Sequence, residues 1–253
     1  MKIELLYPEL GNLYGELFNI EYLRRSVPNC GIAATSLGQR PRFLDDDSID
    51  LVYMGTMTER SQLMVVDELT PVREEIWNTI EDGQRFLITG NAMEIFGNGI
   101  VERGDMVVSE IGGEGYECLG LFDIDVERNM EVKHNSLFLG EYVLTARDTI
   151  EIVGYQSRFG QAYYGANAPE PLFRVLKGAG MENSPGAEGI HYKNFMATYV
   201  TGPLLVLNPG FMVRLCWEMG YSGVIPAFAE SAMDAYRKKL YEFSREGKEF
   251  IKS

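Results

Sequence analysis

Over its first hundred residues the chain alternates short apolar runs with apolar stripes at helical spacing, and this limits its folds more than any other feature. Residues 2–7 carry Ile3, Leu5 and Leu6 and read as a first strand. Leu13, Leu17, Ile20 and Leu23 follow at the spacing of one helix face. Residues 30–37 read as a second strand. Residues 49–55, apolar nearly throughout, read as a third. Continuously apolar strands suit a parallel sheet covered on both faces. Thr70-Pro71 reads as a helix cap with proline at the first helical position, Val72, Ile76 and Ile80 as its stripe, and Gly83 as its end. Residues 85–89 predict a fourth strand, Gly90-Asn91 a turn, and residues 92–96 the start of another helix. The alternation predicts an α/β fold with an open, mostly parallel sheet flanked by helices.

The pattern changes after residue 106. Residues 119–123, 142–145 and 149–155 are short β-like runs between polar turns, and predict hairpins or an antiparallel β extension. Residues 166–189, rich in Gly, Pro and Asn, predict a long surface loop. Residues 195–200 predict a strand, and Asn208-Pro209 a capped helix. Residues 226–252 predict a long amphipathic helix with Phe228, Ala232, Tyr236, Leu240 and Phe243 on one face. No repeat or linker divides the chain.

Charge and composition exclude several functions. Lys and Arg number 23 against 37 Asp and Glu, a net charge of −14. Nucleic acid or an anionic membrane would meet net repulsion, so neither is expected as the main partner. Three cysteines and two histidines give no disulfide framework and no zinc cluster, and no metal is expected. No run approaches the ~18 apolar residues of a membrane span. The opening Met1-Lys2-Ile3-Glu4 lacks a signal pattern, so a cytoplasmic protein is expected.

Nucleotide and metal motifs are missing. There is no phosphate-binding G-x-x-x-x-G-K-[ST] run. The nearest dinucleotide-like stretch, Gly113-Glu114-Gly115, ends at Cys118 where a glycine is needed, so no nucleotide cofactor is expected. Asp45-Asp46-Asp47 reads as a solvated loop. Asp123, Asp125 and Glu127 imitate a calcium loop, but Arg128 stands where the turn needs glycine.

The informative segment is residues 86–97, Phe-Leu-Ile-Thr-Gly-Asn-Ala-Met-Glu-Ile-Phe-Gly. A strand, a tight turn of small residues and a helix have the shape of a nucleophile elbow, which displays one strained residue at a sheet edge. The opening Leu6-Tyr7-Pro8-Glu9-Leu10-Gly11-Asn12-Leu13-Tyr14-Gly15 and the run Tyr53-Met54-Gly55-Thr56-Met57-Thr58-Glu59-Arg60-Ser61-Gln62 accompany it. So do Cys118-Leu119-Gly120-Leu121-Phe122-Asp123 and Tyr199-Val200-Thr201-Gly202-Pro203-Leu204-Leu205. Together these motifs resemble the class I glutamine amidotransferases of the cobyric acid synthase glutaminase branch, and within it the glutaminase subunits of lipid II isoglutaminyl synthases. The resemblance covers roughly residues 2–219. It implies a flavodoxin-like three-layer domain over residues 1–219, with residues 220–253 as a helical extension packed on it. It also implies a cell-wall or cobyric acid type of amide chemistry and an ATP-dependent, Mur-ligase-like partner subunit. A homodimer through the C-terminal helix is a further expectation.

The resemblance also shows what has been lost. The family's catalytic cysteine falls on Gly90 and its catalytic histidine on Thr201. Thr56 and Met57 replace two oxyanion-loop glycines, and Glu94 replaces the elbow Gln. Amide hydrolysis on this fold needs a thiolate and a base to form it. Gly90 cannot attack, and a threonine hydroxyl is far too weak a base near neutral pH. Cys30, Cys118 and Cys216 read as small buried or half-buried hydrophobes, His191 as too far along the chain, and His134 as part of a solvated turn beside Lys133. Candidate ligand-binding residues are Gly55, Thr56, Arg60, Gln62, Asn91, Glu94, Gln156 and Arg158, with Glu59 beside them. The expectation is therefore a non-hydrolysing binding or regulatory protein. The competing expectation is an enzyme of altered chemistry on the same scaffold, worked by Glu59, Glu94 and Arg158.

Overall fold

A computed structural model describes residues 1–105, 115–183 and 186–252. The central sheet has six strands in the order β13-β14-β4-β3-β1-β2. They are β1 (Lys2–Leu6), β2 (Gly31–Thr35), β3 (Leu51–Met54), β4 (Phe86–Thr89), β13 (Ile190–Tyr192) and β14 (Phe195–Thr198). All neighbours run parallel except β13 on β14, an antiparallel edge. Successive side chains on a strand face opposite ways, and two separate cores result. Val52, Met54, Phe86 and Ile88 pack with α2 (Glu59–Leu69) and α3 (Arg73–Glu81) on one face. Leu51, Tyr53 and Leu87 pack with α1 (Phe18–Ser26) and α5 (Pro209–Glu218) on the other. The expected three layers are present.

Two smaller sheets follow. One, in the order β10-β7-β5-β6, joins β5 (Gly99–Arg103), β6 (Tyr116–Glu117), β7 (Ile124–Asn129) and β10 (Gly160–Tyr164). The other is built on the hairpin of β8 (His134–Val143) and β9 (Thr149–Arg158), with β11 (Phe173–Lys177), β12 (Ala187–Glu188) and β15 (Ile251–Lys252) added.

Several boundaries differ from the sequence expectation. The helix expected from Thr70 is two helices. α2 is capped by Thr58, whose side chain accepts from Ser61 N at 3.2 Å, and Pro71 lies in the tight turn before α3. Thr70 stands at the C-cap of α2 instead of at a helix start, and its hydroxyl donates back to Val66 O at 2.7 Å. Residues 92–96 do not begin an α-helix, because Gly90–Phe96 is a 3-10 segment that ends at Gly97. A Cβ at Gly97 would lie 2.6 Å from Ile124 O, so the incoming β7 backbone leaves no room for a side chain there. Residues 119–123 are irregular, not a strand. The expected loop of 166–189 contains β11 and β12. Asn208 stands at the N-cap position of α5 with Pro209 in its first turn, as expected, but its amide makes no capping bond and is instead bonded to both the N–H and C=O of Val153. The final helix, α6, spans only Ala229–Ser244. Its Tyr236 hydroxyl reaches Glu151 O at 2.9 Å and Phe243 is buried, but Phe228 is not. The chain then returns, and Ile251 pairs with Ser136 at the edge of β8. Gly113 and Glu114 lie outside the described residues.

Candidate functional site

The elbow lies at the carboxyl end of β4, between β3 and β14. Gly90 has φ +66, the left-handed conformation of a displayed apex. No side chain fits there. A Cβ on Gly90 would lie 2.7 Å from Thr56 Cβ and 2.9 Å from Thr56 Cγ2, with Thr56 Oγ1 closer still. Thr56 therefore fills the space in which a nucleophile would stand. Met57 and Met93 are buried beside it, and the whole segment Gly90–Phe96 is buried.

The loop carrying Thr56 is tied to the turn. Asn91 Oδ1 accepts from Met57 N at 3.1 Å, and its Nδ2 donates to Met57 O at 2.9 Å. An oxyanion hole works by leaving backbone N–H groups aimed at open space. Here the Met57 N–H is already engaged. Gly55 cannot carry a side chain either, since its Cβ would press on Glu16 and Gly11.

Beneath the turn lies a buried polar network, in which Glu102 Oε2 alone among its carboxylate oxygens has no hydrogen-bond partner among the described residues. Gln62 donates to Asn91 O at 2.6 Å and to Glu94 Oε2 at 2.7 Å, and accepts from Arg128 Nη1 at 2.7 Å. Arg128 is held by Glu102. The other Glu94 oxygen accepts from Tyr199 at 2.8 Å, and the Arg158 guanidinium lies 4.2 Å from the centre of the Tyr199 ring. Arg158 also donates to Gln156 Oε1 at 3.2 Å and to Gly180 O at 2.9 Å. Burial pushes the Glu94 carboxyl up, against the lowering hydrogen bond from Gln62 and the charge of Arg128. It also pulls the Arg158 guanidinium down. Glu188, bonded to Thr198 and Tyr199 N, is pushed up to about 7, chiefly by burial.

Gln62, Asn91, Glu94, Gln156 and Arg158 thus come together, as expected, but as a sealed interior and not as the lining of an open pocket. Arg60 is the exception, exposed on the first turn of α2, with Glu59 half-buried beside it. Thr201, buried, donates its hydroxyl to Tyr155 O at 3.0 Å. Its neighbour Gly202 N donates to Glu16 Oε1 at 3.0 Å. Glu16 is fully buried, raised chiefly by burial, and joined to Tyr53, whose hydroxyl lies 2.9 Å from Thr89 Oγ1. That chain of contacts brings the Thr201 turn to the elbow. Sequence reasoning missed Glu16, Glu102, Arg128, Glu188 and Tyr199 as members. Only the burial of charged residues distinguishes them, and spacing does not reveal it.

Among the described residues no cysteine or histidine side chain hydrogen-bonds to this network, although Cys118 lies near Glu94 and Arg128. The thiols of Cys118 and Cys216 are pushed up to about 12 by burial, so neither supplies a thiolate near neutral pH. His191 is on the edge strand β13, near Tyr142. His134 opens β8 and is not in a solvated turn; burial and then the charge of Arg158 hold its pKa down. Among the described residues no three His, Cys, Asp or Glu side chains converge as a metal site, and no helix is long and apolar enough to cross a membrane.

Comparison with known proteins agrees with this architecture. The chain is 25% identical over 217 residues to the lipid II isoglutaminyl synthase (glutamine-hydrolyzing) subunit GatD of Streptococcus pneumoniae (strain ATCC BAA-255 / R6), covering 85% of this chain and 78% of that protein. It is 27% identical over 198 residues to the subunit of the same name from Staphylococcus aureus (strain N315), covering 78% and 75%. Among solved structures it resembles PurLQS from Thermotoga maritima, with a TM-score of 0.54 at 10% identity, covering 94% of this chain and 98% of that one. A glutamine amidotransferase crystal structure matches with a TM-score of 0.52 at 12% identity, covering 86% and 98%. Residues 2–208 match the family's sequence profile across the sheet, the elbow and the Thr201 turn, and the chain belongs to the CobB/CobQ-like glutamine amidotransferase domain family.

Proposed function

We infer that this chain is a glutamine amidotransferase-like subunit that does not hydrolyse glutamine at its elbow and serves a binding or regulatory role in an amide-forming assembly. The observation that carries the reading is the packing of Thr56 into the space where a side chain on Gly90 would stand. A lost nucleophile alone would leave a hole. Here the hole is closed, the Met57 N–H is engaged by Asn91, and Glu94 has a partner on each oxygen. The relatives' names make a lipid II amidating synthase the assembly to examine first, with a Mur-ligase-like, ATP-dependent subunit as the partner. In this reading residues 1–219 are the amidotransferase-like domain and residues 220–253 an extension packed on it.

The same closure speaks against altered chemistry at Glu94 and Arg158, since both are sealed from substrate. The test is glutamine-dependent ammonia release by the purified chain, alone and with its partner subunit. No release above background is expected. Release that disappears on substituting Gly90 or Thr201 would overturn the reading.

A further inference from the structure

We propose that the groove between α1 and α6 docks an amphipathic α-helix of a partner protein whose apolar stripe is flanked by acidic residues. The groove has a volume of about 520 Å³. Its floor is Val206 and Leu207 of the short helix α4 (Leu204–Leu207). One wall is Phe18 and Tyr22, the other Ala232 and Tyr236. Small side chains at Ser231 and Ala235 leave the α6 wall low, so a helix backbone can come close.

Two aromatic rings stand open at its mouth, Phe18 with 64% of its surface exposed and Phe228 with 69%. Large apolar side chains exposed together around a concavity mark a binding surface more often than a bare one. Phe228 is also held at φ 54, a left-handed conformation that costs a bulky residue free energy. The groove lies between α1 and α6 and is partly open to solvent, a setting in which an amphipathic helix can seat anchors at i, i+3, i+4 and i+7.

Charge identifies the occupant. The chain carries −14 overall, yet of the charged side chains lining the groove two, Arg25 and Lys239, are basic and one, Glu21, is acidic. On the α1 side Arg25 shares the Glu21 carboxylate with Arg24, which stands outside the groove lining, so that one carboxylate serves two guanidinium groups. Lys239 lines the α6 side, lies 5.5 Å from the centre of the Phe243 ring, and makes no ion pair among the described residues. A helix with acidic flanks would satisfy both rims, whereas one with basic flanks would be repelled. The α6 wall lies beyond residue 208, where the family match ends, whereas the α1 wall and the floor lie within it. The proposal stands whether or not the elbow hydrolyses glutamine, because no residue is shared between them.

The experiment uses the full chain and two synthetic peptides of about 18 residues, ~27 Å as helices. Both carry the same Leu stripe, flanked by Glu in one and Lys in the other. Binding is followed by fluorescence anisotropy, with light scattering on the protein alone. The Glu-flanked peptide is expected to bind at least tenfold more tightly than the Lys-flanked one, and less tightly at about 0.5 M salt. The double variant Arg25→Glu, Lys239→Glu is expected to reverse the preference. Ala235→Trp, or Ser231→Trp should the first variant fold poorly, is expected to block both peptides. Binding of neither peptide, equal binding of both, or no effect of a folded tryptophan variant would overturn the proposal. So would a dimer that the tryptophan variant converts to monomer, since the occupant would then be a second copy.

Discussion

The elbow and the α1–α6 groove are opposites. At the elbow every residue of the turn is buried, each Glu94 oxygen has a partner, and a threonine fills the one place a reactive group would need. At the groove two aromatic rings stand open and Lys239 makes no ion pair among the described residues. Buried polar atoms are costly unless paired, so a cavity that has lost its ligand chemistry tends to close over its polar groups. An exposed apolar groove gains nothing from staying open unless something covers it. The contrast teaches that the interacting surface need not be where the family's chemistry was.

The largest effect expected from breaking this contrast comes from putting a side chain back on the elbow. Gly90→Cys forces a Cβ into Thr56 on a left-handed backbone. Strain and overpacking together predict a loss of about 2–5 kcal/mol in denaturant unfolding. Adding Thr56→Gly should recover about half or more of it and expose the new thiol to alkylating reagents. If Gly90→Cys alone is as stable as the parent, the slot is not filled as described.

A smaller effect sharpens the burial argument. Glu188 titrates near 7 in the folded chain, above its ordinary 4.5. The folded state therefore holds this proton more tightly than the unfolded state does, and stability falls as pH rises from about 4.5 to about 7. A shift of that size corresponds to at most ~3.4 kcal/mol. Glu94 and Glu16 are raised in the same direction. Glu188→Gln should flatten this decline, seen as the difference between unfolding midpoints at pH 5 and pH 8 in variant and parent. An equal slope in both would remove Glu188 as its source.

The smallest effect belongs to the open region. Phe228→Gly relieves a left-handed backbone and removes a mostly exposed ring, so a change within about 1 kcal/mol, in the stabilising direction, is expected from thermal unfolding. A large loss would mean that the ring holds α6 in place and is not a free docking element.

Much of the fold was legible because its signals are local. The strands β1, β3 and β4 are short apolar runs, and Gly83 at φ +95 does end the helix before β4. Helix α2 was missed, although Leu63, Val66 and Leu69 at helical spacing and Thr58 before them carry its signature. The expected order of elements passes from the third strand to Thr70 and assigns nothing to these residues. Strand β11 was lost among the Gly, Pro and Asn that surround it, because its pairing with β8 is made 33 residues away, between Arg174 and Glu141.

The candidate site divides in the same way. Sequence by itself determined the family, the α/β layering, and the absence of a cysteine at residue 90 and a histidine at residue 201, since each is written in a contiguous motif. Only the tertiary structure decided that the vacancy at Gly90 is filled, and that Arg128, Glu102 and Tyr199 join Gln62 and Glu94 in one sealed network. The physical reason is that burial and partnership of a charge are set by chain segments brought together from far apart. Thr56 and Gly90 are 34 positions apart, and neither position states alone that the other must change with it.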